Sequence, residues 1–243
     1  MANMNIKVPK FFPDLISYHR ARGYERGTVT GTGGSGATAT MGTFVTGTAA
    51  ELFDLRPLNQ VTFDTSADVD ARVLTNYIFT TGDYRQNFIA ILNHNLNTAK
   101  GKIRVFASST AAQIQTVNGT ACDTTDINWD SAMTVTEVVN ADGGAAAADD
   151  KSYVIEPATD GTTVFTFTER NFRYWAIQFE GAHSDTSVGT ADGTFDASTD
   201  LSLAGIMIGE AYSMVHAPNL SVKRSIIYDK IKIMESAGGQ RFA

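Results

Sequence analysis

The stretch NFIAILNHNLNTAKGKIRVFASS, residues 87–109, decides how the rest of the chain is read. Phe88, Ala90 and Leu92 fall on one side of an extended backbone, and Ile89 and Ile91 on the other. Both rows are apolar, which is the pattern of a strand covered on both faces. The run stops at Asn93-His94-Asn95. Polar side chains of this kind satisfy backbone groups where a ladder ends, and buried backbone groups need partners. The knot therefore reads first as the polar end of a buried strand. The alternative is a sugar-binding rim, with His94 joined by an aromatic plate, Trp129 or Tyr84. Residues 97–101 form a loop of hairpin length. Beyond it, Ile103, Val105 and Ala107 alternate with Lys102, Arg104 and Phe106.

Working outward, further strands carry the same signature. Residues 171–181, NFRYWAIQFEG, place Trp175, Ile177 and Phe179 on one face and Tyr174, Gln178 and Glu180 on the other. The turn Ala158-Thr159-Asp160-Gly161 separates KSYVIEP from TTVFTFTE, a second hairpin signature. LSLAGIMIGEAY, residues 201–212, is apolar with Gly205 and Gly209 inside it, which signals a bulge or a close backbone approach. RSIIYDKIKIMES closes the series. Short strands with turn signals and no alternation with helices predict an all-β, antiparallel β-sandwich of jelly-roll type.

The first 50 residues read differently. Pro13 suits the first position of a short helix with Leu15, Ile16 and His19 on one side, and Gly23 suits its end. Residues 27–50 are rich in Gly, Thr and Ala, with Val29 and Phe44-Val45 as the only bulk, too little to hold a core. The expected organisation is an N-terminal arm at 1–50, a sandwich domain at 51–235 and a C-terminal tail at 236–243. Deleting the arm should leave a folded domain. Such arms gain partners for their backbone and apolar anchors on a neighbouring subunit. Phe11, Phe12, Leu15 and Phe242 are the expected assembly anchors.

Composition excludes several functions. At 243 residues the chain buries enough surface to need no staples. Its net charge of −7 offers no basic field for nucleic acid or an anionic membrane. No run reaches the length of a membrane helix, and the N-terminus lacks the apolar core of a signal peptide, so a soluble protein made in a cytoplasm is expected. Cys122 is the single cysteine and reads as a small loop side chain. His19, His94, His183 and His216 show no zinc spacing. No nucleophile elbow or P-loop occurs, so no enzymatic role and no cofactor are expected. Asp192, Asp196 and Asp200 read as a solvated acidic loop, with a weak Ca²⁺ site as the alternative.

Several segments together resemble the galactose-binding, discoidin-like β-sandwich found in bacteriophage tail proteins. They are LFDLRPLNQVTFDTS, the opening stretch, FRYWAIQFEG and LSLAGIMIGEAY, in that order. The corner His94-Asn95-Leu96, the pair Tyr174-Trp175 and the pair Ile208-Gly209 carry the likeness. VPKFFPDLISYHRARGY and ESAGGQRFA are similar to the ends of virion proteins. The insert at 110–150 departs from the compact pattern. The resemblance implies a structural virion component of the tail, packing against its own copies and other virion proteins. It leaves adhesion to host-surface carbohydrate as the second reading.

Overall fold

The computed structural model describes residues 9–32, 44–69, 73–81, 83–108, 135–139, 146–148, 153–181, 194–215, 234–235 and 241–242. The chain divides into two compact units, Phe11–Tyr212 and Met1–Lys10 with Ser213–Ala243. In chain order the strands are β1 (Lys10–Phe11), β2 (Gly27–Thr32), β3 (Phe44–Thr46), β4 (Val61–Phe63), β5 (Val73–Phe79), β6 (Gln86–His94) and β7 (Gly101–Ser108). They continue as β8 (Val135–Val139), β9 (Ala146–Ala148), β10 (Tyr153–Ile155), β11 (Gly161–Arg170), β12 (Tyr174–Gly181), β13 (Leu201–Leu203), β14 (Gly205–Gly209) and β15 (Tyr212–Ser213). The one α-helix among the described residues is α1 (Leu15–Ala21), and a 3-10 turn covers Ala49–Phe53.

The larger unit is an antiparallel β-sandwich. One sheet runs β2-β5-β12-β7-β10-β9, the facing one β14-β6-β11-β8, and a smaller sheet runs β13-β4-β3. β12 is central, and all eight of its residues are buried. Its register sets Trp175 between Tyr77 and Ala107, Ile177 between Thr75 and Val105, and Phe179 between Val73 and Ile103. The facing sheet supplies Ile89, Ile91, Phe165, Phe167, Ile206 and Ile208 to the same core. Trp175 is fully buried and lies 5.6 Å from the Phe167 ring across the interface between the sheets. Its indole N–H donates to the Phe172 carbonyl at 3.3 Å, so burial leaves no orphan donor.

β6 is covered on both faces, as its two apolar rows require. Ile89 and Ile91 face the main core, while Phe88 and Ala90 join Met207 in a second cluster with Phe12, Leu92 and Val164 packed against it. The Phe12 ring meets Phe88 edge-on at 5.0 Å. The glycine-containing segment 201–212 divides at Ala204, with β13 pairing β4 and β14 pairing β6. At Gly209 an added Cβ would meet the Phe88 ring at 3.4 Å, so the glycine admits that ring.

The structure departs from the sequence reading at three places. The two loops of hairpin length do not form hairpins. The chain passes at 95–100 from β6 to β7, and at 156–160 from β10 to β11, each time from one sheet to the facing one. The Gly/Thr-rich segment is not a free arm as far as it is described. β2 pairs with β5 over six residues, Phe44 packs 4.8 Å from Phe63, and Ile16 is 1% exposed in the main core. The compact sandwich unit therefore begins at Phe11 and ends at Tyr212, not at 51 and 235. The helix starts two residues later than Pro13 suggests, at Leu15, with Asp14 as its cap accepting from the Ser17 amide at 3.0 Å. In the smaller unit the Met214 amide donates to the Pro9 carbonyl at 3.1 Å, and β16 (Met234–Glu235) pairs with β17 (Arg241–Phe242).

Integration of the N-terminal segment has a measurable consequence. Ile16→Ala should lower stability by about 2–4 kcal/mol, the range for truncating a buried aliphatic side chain, in a urea titration. A loosely draped arm would give a change below about 0.5 kcal/mol.

Candidate functional site

The polar knot closes the end of β6 by joining loops. Asn93 takes a left-handed φ of 46°, which Asn tolerates better than most residues. Its side-chain amide donates to the Pro57 carbonyl at 3.2 Å, and its own carbonyl accepts from the Gln60 side chain at 3.2 Å. Asn95 donates to the Asp200 carbonyl at 2.8 Å and accepts the Ser202 amide at 2.7 Å. Asn97 reaches the Pro157 carbonyl at 3.2 Å, and the Thr98 amide donates to Asp160 Oδ1 at 3.0 Å, with a second bond from the Thr98 hydroxyl. The two crossing loops are thus bonded to each other.

His94 sits inside this corner with 2% exposure. The Leu96 amide can only donate, so Nδ1 accepts it at 3.3 Å. The proton then rests on Nε2, which donates to the Thr163 hydroxyl at 2.9 Å. Burial pushes the imidazole pKa down to about 4, against the opposing pull of Asp160. Both ring nitrogens are occupied and the side chain is enclosed, so His94 presents nothing to a glycan. Of the aspartates, Asp200 accepts the Ser66 amide at 2.9 Å. Asp196 binds Lys100 Nζ at 2.8 Å and accepts from Ser198. Those hydrogen bonds hold the Asp196 carboxyl well below the usual range. Asp192, Trp129 and Cys122 lie outside the described residues. Among the described residues no group of three His, Cys, Asp or Glu side chains is placed to hold a metal.

A cleft opens at the opposite end of β6. Tyr84 and His94 stand roughly 30 Å apart along this extended segment, at ~3.3 Å per residue, so the structure does not bring them into one site. The cleft encloses about 260 Å³ and is lined by Leu15, Arg26, Asp83, Tyr84, Arg85 and Glu210 among others. The half-buried Tyr84 ring packs 5.3 Å from Phe79 on one side. The Arg26 guanidinium lies over it at 4.9 Å and also donates to His19 Nε2 at 2.9 Å. The cleft combines an aromatic ring with hydrogen-bonding groups of both charges. The described residues that line it include no nucleophile–base pair. A second groove, of about 220 Å³, is mainly apolar, over Leu92, Gly205 and Met207.

Of the anchors expected from sequence, Phe12 is part of the second core cluster. Phe11 and Leu15 are exposed at 50% and 37%. Phe242 lies in β17, in the smaller unit.

Sequence reasoning missed a buried ionic group on the outer face of the six-stranded sheet. Arg104 donates through Nε and Nη2 to Glu180 Oε1 at 3.0 and 2.8 Å. Lys102 Nζ lies 3.4 Å from the same oxygen, and Gln178 donates to Glu180 Oε2 at 2.7 Å. All four residues are buried. Burial alone would raise the Glu180 pKa, but Arg104 and Lys102 outweigh it and hold the carboxyl below its ordinary value. Burial lowers the Lys102 ammonium, with Glu180 opposing. A sequence signal existed: two cations on one strand and an acid on another, each alternating with an apolar row. No helix among the described residues is long and apolar enough to cross a membrane.

The His94 corner gives a pH signature. Its folded-state pKa lies below the unfolded value, so between pH about 6.5 and about 4 only the unfolded chain takes up this proton. Stability should therefore fall by on the order of 3 kcal/mol as pH drops through that window. Urea titrations of the wild type and His94→Gln, run in parallel from pH 7.5 to 4, check this. The variant should be less stable at neutral pH and show a flatter acid limb.

Compared with known proteins, the chain matches no family model, no curated protein and no solved structure.

Proposed function

We propose that this chain is a non-enzymatic structural component of a bacteriophage virion, a tail protein that assembles in multiple copies. One observation carries the reading. Phe11, Leu15, Tyr18 and Tyr212 are 50%, 37%, 45% and 60% exposed. The Phe11 and Tyr212 rings lie 6.5 Å apart, and Leu15 and Tyr18 sit three apart on α1. Grouped exposed aromatic and aliphatic side chains mark surfaces that are covered in an assembly. The sequence resemblance to tail sandwiches agrees with this reading and supplies the virion context.

Mass photometry and negative-stain microscopy of the purified chain should reveal a defined oligomer, ring or tube. Phe11→Ser combined with Tyr212→Ser should shift that population towards monomer with an unchanged thermal melt. A wild-type chain that remains monomeric at every concentration would count against the reading.

A second reading, adhesion to host-surface carbohydrate, is favoured by the Tyr84 cleft, because sugar hydroxyls bond to charged rims and Asp83, Arg85 and Glu210 line it beside the aromatic ring. Tyr84→Ala should then weaken retention on glycan-coated surfaces at least about tenfold, some 1.4 kcal/mol, while the circular dichroism spectrum is unaltered. Equal retention of both proteins excludes that cleft as a sugar site.

A further inference from the structure

The outer edge of β2 has the properties of a strand waiting for a partner. β2 ends the six-stranded sheet, and no described strand pairs with its far side. The direction of its backbone groups follows from the register. The Arg26 carbonyl accepts the Thr80 amide at 2.8 Å, and β2 pairs with β5 in unbroken register from Gly27 opposite Phe79 to Thr32 opposite Leu74. Hydrogen-bonded pairs alternate along an antiparallel ladder. Residues 28, 30 and 32 therefore bond to β5, and the amides and carbonyls of Gly27, Val29 and Gly31 point away from the sheet.

Proteins guard such edges with lysine, proline or a bulge. This edge has none of them. From Gly27 to Ala50 the sequence contains no charged residue and no proline. The pairing of β2 with β5 also has no register shift, so the edge is not bent aside. The chain as a whole carries −7, so two copies repel each other across most surfaces. The uncharged strand is a place where they can approach without that penalty.

We infer that β2 is a self-pairing edge, and that its occupant is β2 of a second copy in antiparallel register about a two-fold axis through Val29. The outward groups are spaced for this. Gly27 meets Gly31 of the second copy, Val29 meets Val29, and Gly31 meets Gly27, giving about six backbone hydrogen bonds. The interface is isologous and self-complementary, as a two-fold contact must be. It joins the two six-stranded sheets edge to edge. This inference rests on the multi-copy reading and assigns it a surface separate from the aromatic patch.

Sedimentation velocity and amide hydrogen exchange on the full chain, from low to high micromolar concentration, test it. As the chain associates, exchange at Gly27, Val29 and Gly31 should slow at least about tenfold. Thr28 and Thr30, already bonded to β5, should be slow throughout. Thr28→Lys places an ammonium on an exposed position without touching the β5 ladder. In the pair it would stand about 7–8 Å from its symmetry mate. It should weaken association at least about tenfold and leave the melt unchanged. If the wild type associates while the three amides exchange at their dilute rate and Thr28→Lys associates equally well, the β2 assignment is overturned and the multi-copy reading stands. If the wild type is monomeric throughout, both fall.

Discussion

The sandwich depends on how the chain gets from one sheet to the other. Crossing between stacked sheets spans about 10 Å and takes backbone out of both ladders, so its polar groups must find other partners. Here two crossings lie side by side, at 95–100 and 156–160, and Thr98, Asn97 and Asp160 bond them together. Asn93 and Lys100, both with left-handed backbone, bracket the first crossing. His94, locked neutral between Leu96 and Thr163, ties it to β11. With these bonds in place, Ile89 and Ile91 of β6 meet the Trp175 row of β12, and the core closes.

The outer face of the six-stranded sheet obeys a second constraint. Alternating strands ordinarily leave their polar row in water. β7 and β12 instead bury theirs, and Arg104, Lys102 and Gln178 converge on Glu180. A buried ion pair adds little net stability compared with an apolar isostere. It does penalise error. A one-residue slip of β7 against β12 would send Arg104 into the layer that holds Val105 and Trp175.

Much of this was legible in the sequence. The two-sided burial of FIAIL, the Trp175-Ile177-Phe179 row and the use of Asn93-His94-Asn95 as a strand end all follow from periodicity and polar satisfaction. What failed was whatever depended on the partner strand. A five-residue loop has the same length whether it turns back into its own sheet or arches to the facing one. Glycine and threonine in β2 look slack by composition, yet β5 holds them in register, because tertiary pairing overrides weak local preference. Phe12 and Leu15 are close in sequence, but one packs on Phe88 and the other faces solvent. The Glu180 group was hidden for the same reason: the register of β7 against β12 had to be known before its charges could be seen to meet.

The central sheet also sets a schedule for biosynthesis. β12 lies between β5 and β7, and its Trp175 pairs with Tyr77, roughly a hundred residues earlier in the chain. A ribosome adding about 5–20 residues per second therefore leaves β5 without that neighbour for about 5–20 s. During this wait its apolar row of Val73, Tyr77 and Phe79 has no β12 beside it. β6 waits longer for β14. The nascent chain thus spends its most adhesive interval with the middle of its main sheet missing. A chain of this topology therefore carries an unpaired strand edge on β5 until its last third is delivered.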